Sequence, residues 1–185
     1  MEMQVSFEEI KQLLKDLVIS QKETDLKFKE TELQFKETDR KLNKMIHQFE
    51  SQWGKFVESL VSGNLIQLLR GKGIDVHDTS QRRTGIHMGR QFEFDIVAKN
   101  GNELVIVEVK SNLNIKAIKD FLEELSHAKE WLDEYASYKI YGAVAYLHAS
   151  EESPIYAERN GLFVIRATGD SAIITNSESF VPTCW

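Results

Sequence analysis

The chain has 185 residues, of which 42% are hydrophobic and 28% charged, and its formal net charge is −6. This length suits one globular domain with an appendage, and the acidic balance argues against a protein that coats nucleic acid non-specifically. The single cysteine excludes a disulfide framework within the chain and argues against a cysteine-based zinc site. No apolar run approaches the roughly 18 residues of a membrane span, and the charged N-terminus does not resemble a signal peptide. We therefore expect a cytoplasmic protein without a membrane segment.

A change in glycine and proline content divides the chain between Glu50 and Gly54. All 10 glycines and both prolines follow Trp53, and the first 50 residues contain neither. We therefore predict two domains, an oligomerisation helix over residues 1–50 and a globular domain over residues 51–185.

The N-terminal segment carries an unbroken heptad pattern. The residues that follow its 4-3-4-3 spacing are Ile10, Leu14, Leu17, Gln21, Thr24, Phe28, Thr31, Phe35, Thr38, Leu42, Met45 and Phe49. A strict period of 3.5 residues favours a left-handed coiled coil, so we expect residues 7–49 to hold a homo-oligomer together. The alternatives are a solvated single helix or a disordered charged arm, and the number and direction of the helices stay open.

The globular domain is predicted to mix helices and strands. The expected elements are a helix over residues 53–72, strands over 74–79, 91–98 and 103–109, a helix over 115–135, a strand over 140–147, a helix over 154–160, and strands over 162–167 and 171–175. The Asn100-Gly101 pair predicts an antiparallel hairpin, and the helical crossover after Val109 predicts a parallel strand pair. The sheet is therefore expected to be mixed.

Two charges end a strand that is otherwise apolar. Side chains alternate between the faces of a strand, so Val105, Val107 and Val109 form one apolar face. The other face ends with Glu108 and Lys110. An unpaired buried charge costs several kcal/mol, so proteins pair such groups or use them to bind metals.

The neighbouring strand supplies a second carboxylate. Alternation there places Phe94 and Ile96 on one face and Asp95 on the other, where it can project near Glu108. Mg²⁺ takes oxygen ligands from one or two carboxylates and leaves room for water and phosphate oxygens. The sequence thus predicts a metal site here. The alternative is a buried ion pair between Glu108 and Lys110, with Asp95 solvated at the edge.

The segment FEFDIVAKNGNELVIVEVKS, within this order of elements, resembles the catalytic core of PD-(D/E)XK, or restriction-endonuclease-like, nucleases. It is similar in particular to bacterial and archaeal members with an N-terminal coiled coil, and the resemblance covers about residues 53–147. Phe94 stands where the name-giving motif has proline. The implied fold is α/β, with a mixed central sheet flanked by helices and a long N-terminal coiled-coil helix before it.

The resemblance also implies roles for individual residues. Asp95 and Glu108 would bind the metal directly, and the carbonyl of Val109 would complete the protein ligands. Lys110 would position the attacking water, and Glu58 would bind a second metal ion or hold a water of the first. The implied activity is hydrolysis of DNA with Mg²⁺, or Mn²⁺ in its place, and RNA is not excluded as a substrate.

Spacing along the first helix supports the choice of Glu58. It lies three positions before Val61 and seven before Leu65, so it points toward the apolar side of the helix. The alternative is an ordinary surface glutamate.

Three arginines lie in a polar segment just before the Asp95 strand, namely Arg82, Arg83 and Arg90. They are candidate contacts to the phosphate backbone, and the alternative is a solvated loop. For the whole chain, the alternative to a nuclease is a catalytically inactive module whose coiled coil mediates self-association or partner binding.

Overall fold

The computed structural model describes residues 7–169 and 171–185, with the side chains of residues 47, 50, 51 and 53 left aside. The elements in chain order are α1 Phe7–Arg70, β1 Asp78–His87, β2 Arg90–Lys99, β3 Glu103–Leu113, α2 Ile115–Trp131, a 3-10 turn Asp133–Tyr135, β4 Lys139–Ala149, α3 Ser153–Arg159, β5 Phe163–Thr168 and β6 Ser171–Ile174. Two compact units divide the chain, Met1–Phe49 and Glu50–Trp185. No described helix combines the length and apolar character that a membrane crossing requires.

Helix α1 continues through the position where a separate helix was predicted to begin. Gly54 lies inside it, because an interior glycine costs a helix only about 1 kcal/mol and the flanking residues favour helix. The predicted end of the helix near residue 72 is confirmed, since α1 ends at Arg70. Gly73 has a φ of 85°, and the amide of Ile74 donates to the carbonyl of Leu69 at 3.1 Å. This is the glycine-terminated helix end known as the Schellman motif.

All six strands form one sheet in the order β1-β2-β3-β4-β5-β6. The pairs β1–β2, β2–β3 and β5–β6 are antiparallel, whereas β3–β4 and β4–β5 are parallel. Helices α2 and α3 provide the two parallel crossovers. The predicted fold class, a mixed sheet flanked by helices after a long N-terminal helix, is therefore confirmed.

Helices cover both faces of the sheet within residues 50–185. The residues of α1 buried against one face are Val57, Val61, Leu65 and Leu69. The residues of α2 and α3 buried against the other face are Ile118, Phe121, Leu125, Ala128 and Ala157. Strand β3 serves both cores as its alternation predicts, since Val105 and Val107 pack on the α1 side and Leu104 and Ile106 on the α2 side.

The first strand differs from its prediction. Residues 74–77 are not a strand, and the polar segment between the strands predicted over 74–79 and 91–98 forms most of β1. Met88 and Gly89 have φ values of 46° and 80°, which give the tight turn that joins β1 to β2. Sequence periodicity missed this strand because β1 lies at the sheet edge, and eight of its ten side chains are polar.

Alternation along β2 breaks at Asp95. Phe94 was predicted to share a face with Ile96, but Phe94 packs in the α2-side core and Ile96 in the α1-side core. The ladder with β1 skips the position opposite Asp95. There Arg82 has a φ of 52°, a left-handed conformation that is uncommon for a residue with a side chain.

Candidate active site

Asp95 lies where β2 separates from β3. The last ladder pair toward this end joins Ile96 to Val107. One residue further, the side-chain Oδ2 of Asp95 accepts a hydrogen bond from the backbone amide of Val109 at 2.7 Å. The carboxylate therefore takes the place of a backbone partner and holds the diverging strands at a defined separation.

Val109 offers a second oxygen atom at this point. Because the amide and carbonyl groups of a strand residue point to the same side of the strand, the carbonyl of Val109 points toward β2, as its amide does. Val109 itself is buried. A carboxylate and a backbone carbonyl thus border the gap between β2 and β3.

Glu108 and Lys110 form an ion pair beside this gap through Oε1 and Nζ. The Glu108 side chain is only 14% exposed, against 40% for Lys110. Burial, followed by the charge of Asp95, raises the pKa of Glu108 to about 7. Burial acts to lower the pKa of Lys110, but the carboxylates of Glu108, Asp95 and Glu124 outweigh it and raise that pKa. Lys110 is therefore a cation at neutral pH.

Glu58 approaches the same cluster from helix α1. It is 9% exposed, so it is not an ordinary surface glutamate. Burial and then the charge of Asp95 raise its pKa, while Arg82 and Lys55 act to lower it. The structure thus brings Glu58 within electrostatic reach of Asp95.

Glu124 on α2 also belongs to this cluster, and sequence reasoning missed it. Burial raises its pKa, Lys110 acts to lower it, and Asp95 is among the groups that raise it further. The helical spacing carried a signal, because Glu124 lies three positions after Phe121 and directly before Leu125, both of them buried. It therefore borders the buried stripe of the helix.

The three predicted phosphate contacts lie in different surroundings. Arg82 Nε pairs with Glu93 Oε1 at 3.1 Å, whereas Arg83 Nη2 pairs with Glu134 Oε1 at 2.6 Å. Arg90 is exposed at the start of β2. Of the three, Arg82 interacts with the carboxylates of the cluster.

The donor groups suit a hard cation. Among the side chains that the structure describes, no group of three or more from His, Cys, Asp or Glu is arranged to hold a metal ion. A smaller set of candidate ligands has two carboxylates, those of Asp95 and Glu108, and one backbone carbonyl, that of Val109. Mg²⁺ is commonly bound by one or two carboxylates and completes its shell with water and substrate phosphate. Structural zinc sites instead use four protein ligands rich in Cys and His. The chemistry of these donors therefore fits Mg²⁺.

A protein-family model described as a domain of unknown function, DUF8196, matches residues 64–173. The chain belongs to the DUF8196 family. The DUF8196 segment includes Asp95, Glu108, Lys110 and Glu124, and it begins after Glu58. No curated protein matches the chain.

Two solved structures overlap with the DUF8196 chain in part. A repair endonuclease from Pyrococcus abyssi is 16% identical, with a TM-score of 0.42 over 60% of this chain and 46% of that one. The crystal structure of a protein of unknown function, AF1548, is 18% identical, with a TM-score of 0.40 over 55% of this chain and 54% of that one. This chain therefore spans about half the length of each protein. Overlaps this partial carry no conclusion about function.

Proposed function

We propose that this protein is a metal-dependent nuclease that hydrolyses DNA with Mg²⁺, or Mn²⁺ in its place, and self-associates through residues 7–49. One observation carries the proposal. Asp95, Glu108 and Lys110 meet where two core strands separate, and Asp95 there bonds the backbone of Val109. Buried charges at the end of an apolar sheet are costly unless they are paired or bind a cation. The order of elements agrees with the order that the PD-(D/E)XK resemblance implies.

In this proposal, Asp95, Glu108 and the carbonyl of Val109 hold the ion. When bound, Mg²⁺ would supply Lewis-acid stabilisation of negative charge on the phosphate and make a water more acidic. The ionised form of Glu108 would be the ligand. Mg²⁺ would then supply the positive charge beside this carboxylate, which Lys110 supplies when no metal is bound.

Lys110 acts as a cation in this proposal and not as a base. Neighbouring carboxylates raise its pKa above the ordinary value, so Nζ keeps its proton at neutral pH. A protonated amine donates hydrogen bonds and offsets negative charge. Lys110 therefore orients the attacking water and stabilises the charge that develops on the phosphate oxygens.

Glu58 and Arg82 complete the proposed site from the β1 and α1 side. Glu58 accepts a hydrogen bond from a water or binds a second ion. Arg82 is more than half exposed, so its guanidinium can exchange Glu93 for a phosphate oxygen, which arginine binds in a similar geometry.

Plasmid cleavage in Mg²⁺ tests the proposal. We expect wild-type protein to nick or linearise the plasmid, and Asp95→Asn and Lys110→Ala to reduce cleavage at least about a hundred-fold. Asp75→Asn and Lys129→Ala change the same residue types at exposed positions and should keep wild-type rates. Equal cleavage by all five proteins, or none on plasmid, single-stranded DNA and RNA, would contradict a nuclease.

A binding or assembly module is the second candidate. It is favoured by the net charge of −6 and by the fact that no cluster of three metal-ligating side chains occurs among the described residues. Calorimetric titration with Mg²⁺ and Mn²⁺ separates the two candidates. The module is supported if the folded protein binds neither ion and the Asp95→Asn variant gives the same titration result.

A further inference from the structure

Helix α1 exposes the heptad stripe over residues 7–49 in the single chain. The large side chains of this stripe that are at least 47% exposed are Ile10, Leu14, Leu17, Phe28, Phe35, Leu42, Met45 and Phe49. An apolar stripe of this length, repeating every seven residues, buries its area when another helix with the same repeat packs against it. A second copy of this chain carries the same repeat and can therefore supply that helix.

The threonines of the stripe are compatible with an apolar seam. The hydroxyl groups of Thr24, Thr31 and Thr38 each donate a 2.8 Å hydrogen bond to the carbonyl four residues earlier. Their polar atoms are thus satisfied within the helix, and they need no polar partner across the seam. Each threonine adds its methyl group to the apolar surface between the phenylalanine layers.

The charges that flank the stripe are sorted by side. With Phe28 and Phe35 at heptad position a, the e positions of the three central repeats are Asp25, Glu32 and Asp39, and the preceding g positions are Ser20, Lys27 and Gln34. One flank is therefore acidic and the other is basic or neutral. Residues at e and g set the partner and the orientation of a coiled coil.

This sorting distinguishes parallel from antiparallel packing. In a parallel pair, each g residue faces the e residue five positions later on the other copy. Lys27 then faces Glu32, and Gln34 faces Asp39. Ser20 faces Asp25, so each of the three carboxylates meets a cation or a neutral hydrogen-bond donor. In an antiparallel pair, e residues face e residues, and carboxylates oppose one another.

Bonds within the single helix do not prevent this exchange. Glu32 pairs with Lys36 at 2.7 Å, and both side chains are more than half exposed. An exposed pair of this kind contributes only about 0.3–0.5 kcal/mol. Glu32 can therefore turn to Lys27 of a second copy at little cost.

We propose that residues 7–49 form a parallel, in-register coiled coil between copies of this chain, in which each seam residue packs against its own equivalent. The proposal rests on the self-association included in the proposed function and adds its direction and register. A parallel arrangement attaches the following domains at the same end of the coiled coil. Two sites could then act on the two strands of one duplex.

Disulfide trapping tests the direction. Two single-cysteine variants, Leu17→Cys and Leu42→Cys, are made with Cys184→Ser, which removes the only native cysteine. These two positions share a layer if the helices are antiparallel, because a positions then pack against d positions. Each variant is incubated in a glutathione redox buffer, separately and after mixing under conditions that exchange subunits. Arg40→Cys, on the side of the helix away from the stripe, is the control.

Parallel packing predicts that Leu17→Cys and Leu42→Cys each cross-link to themselves, about ten times more than Arg40→Cys. A disulfide that forms only in the mixture would overturn the orientation and keep the self-association. A monomer by light scattering would overturn both. Plasmid cleavage by the same preparations reports separately on the nuclease, so each failure is distinguishable.

Discussion

The side chain of Asp95 accepts a 2.7 Å hydrogen bond from the amide of Val109, one residue beyond the last backbone pair of β2 and β3. This bond connects a carboxylate of one strand to the backbone of the other where the strands separate. It keeps the carboxylate beside Glu108 and leaves the carbonyl of Val109 facing the same gap. A single side-chain contact therefore connects the two strands at the proposed metal site.

Replacing Asp95 separates its structural role from its charge. Asp95→Asn keeps an oxygen acceptor for the amide of Val109, whereas Asp95→Ala leaves that amide without a side-chain partner. We expect the alanine variant to be less stable than the asparagine variant by about 1–2 kcal/mol, measured by urea denaturation in a chelator. The same pair of changes at Asp75, an exposed residue paired with Arg70, should differ by less than about 0.5 kcal/mol. Equal stability of the two Asp95 variants would contradict a structural bond.

The charge of Glu108 should make the metal-free protein less stable as pH rises. Its pKa is raised from 4.5 to about 7, so the folded state binds the proton more tightly than the unfolded state. This contribution is complete below the unfolded pKa of 4.5 and is lost as pH rises toward 7. The glutamine side chain of the Glu108→Gln variant cannot ionise. The free energy of unfolding of this variant, relative to that of wild type, should therefore increase by about 1–3 kcal/mol between about pH 5 and pH 8.

Urea denaturation in a chelator across this pH range measures the difference. Glu123→Gln, at an exposed position of the same helix as Glu124, is the matched control and should run parallel to wild type. A constant difference between Glu108→Gln and wild type would show that the carboxyl group of Glu108 is not held in its neutral form by burial.

Two adjacent arginines should affect DNA binding differently. Arg82 pairs with Glu93 and also interacts with Glu58 and Asp95, whereas Arg83 pairs with Glu134. We expect Arg82→Gln to weaken binding of a fluorescent duplex about ten-fold in Ca²⁺, and Arg83→Gln to weaken it less than about two-fold. Fluorescence anisotropy at fixed salt gives both affinities. Equal losses of DNA affinity in the two variants would contradict a specific role for Arg82 in binding the duplex.

Gly142 should be required for the close packing of α2 on the sheet. A Cβ atom at Gly142 would lie 2.4 Å from Cδ1 of Leu125 and 2.6 Å from Cδ2 of Leu162. Both leucines are buried, so Gly142→Ala should cost about 1–3 kcal/mol through overpacking. Gly101→Ala meets nothing within 4 Å and should cost less than about 0.5 kcal/mol. Thermal denaturation of both variants checks the contrast, and equal melting temperatures would contradict it.

The features that depend on short-range periodicity could be predicted from the sequence alone. The hairpin at Asn100-Gly101, the crossover by α2 and the position of Glu108 and Lys110 on one face of β3 all follow from neighbours a few residues apart. The ion pair between these two side chains was only the alternative to the predicted metal site. The burial of Glu58 follows from its helical spacing to Val61. Alternation and helical repeat are local properties of the backbone, so these parts of the fold and of the candidate site were predictable.

The way Asp95 meets the other charges depends on long-range contacts. Simple alternation placed Asp95 near Glu108 but put Phe94 on the wrong face, because the break opposite Arg82 arises from pairing between strands. Glu124 joins the cluster from α2 for the same reason, since the contact spans two elements. The raised pKa of Glu108 also depends on burial by distant parts of the chain. Strand pairing and desolvation join residues that are far apart in sequence, and no short-range pattern records them.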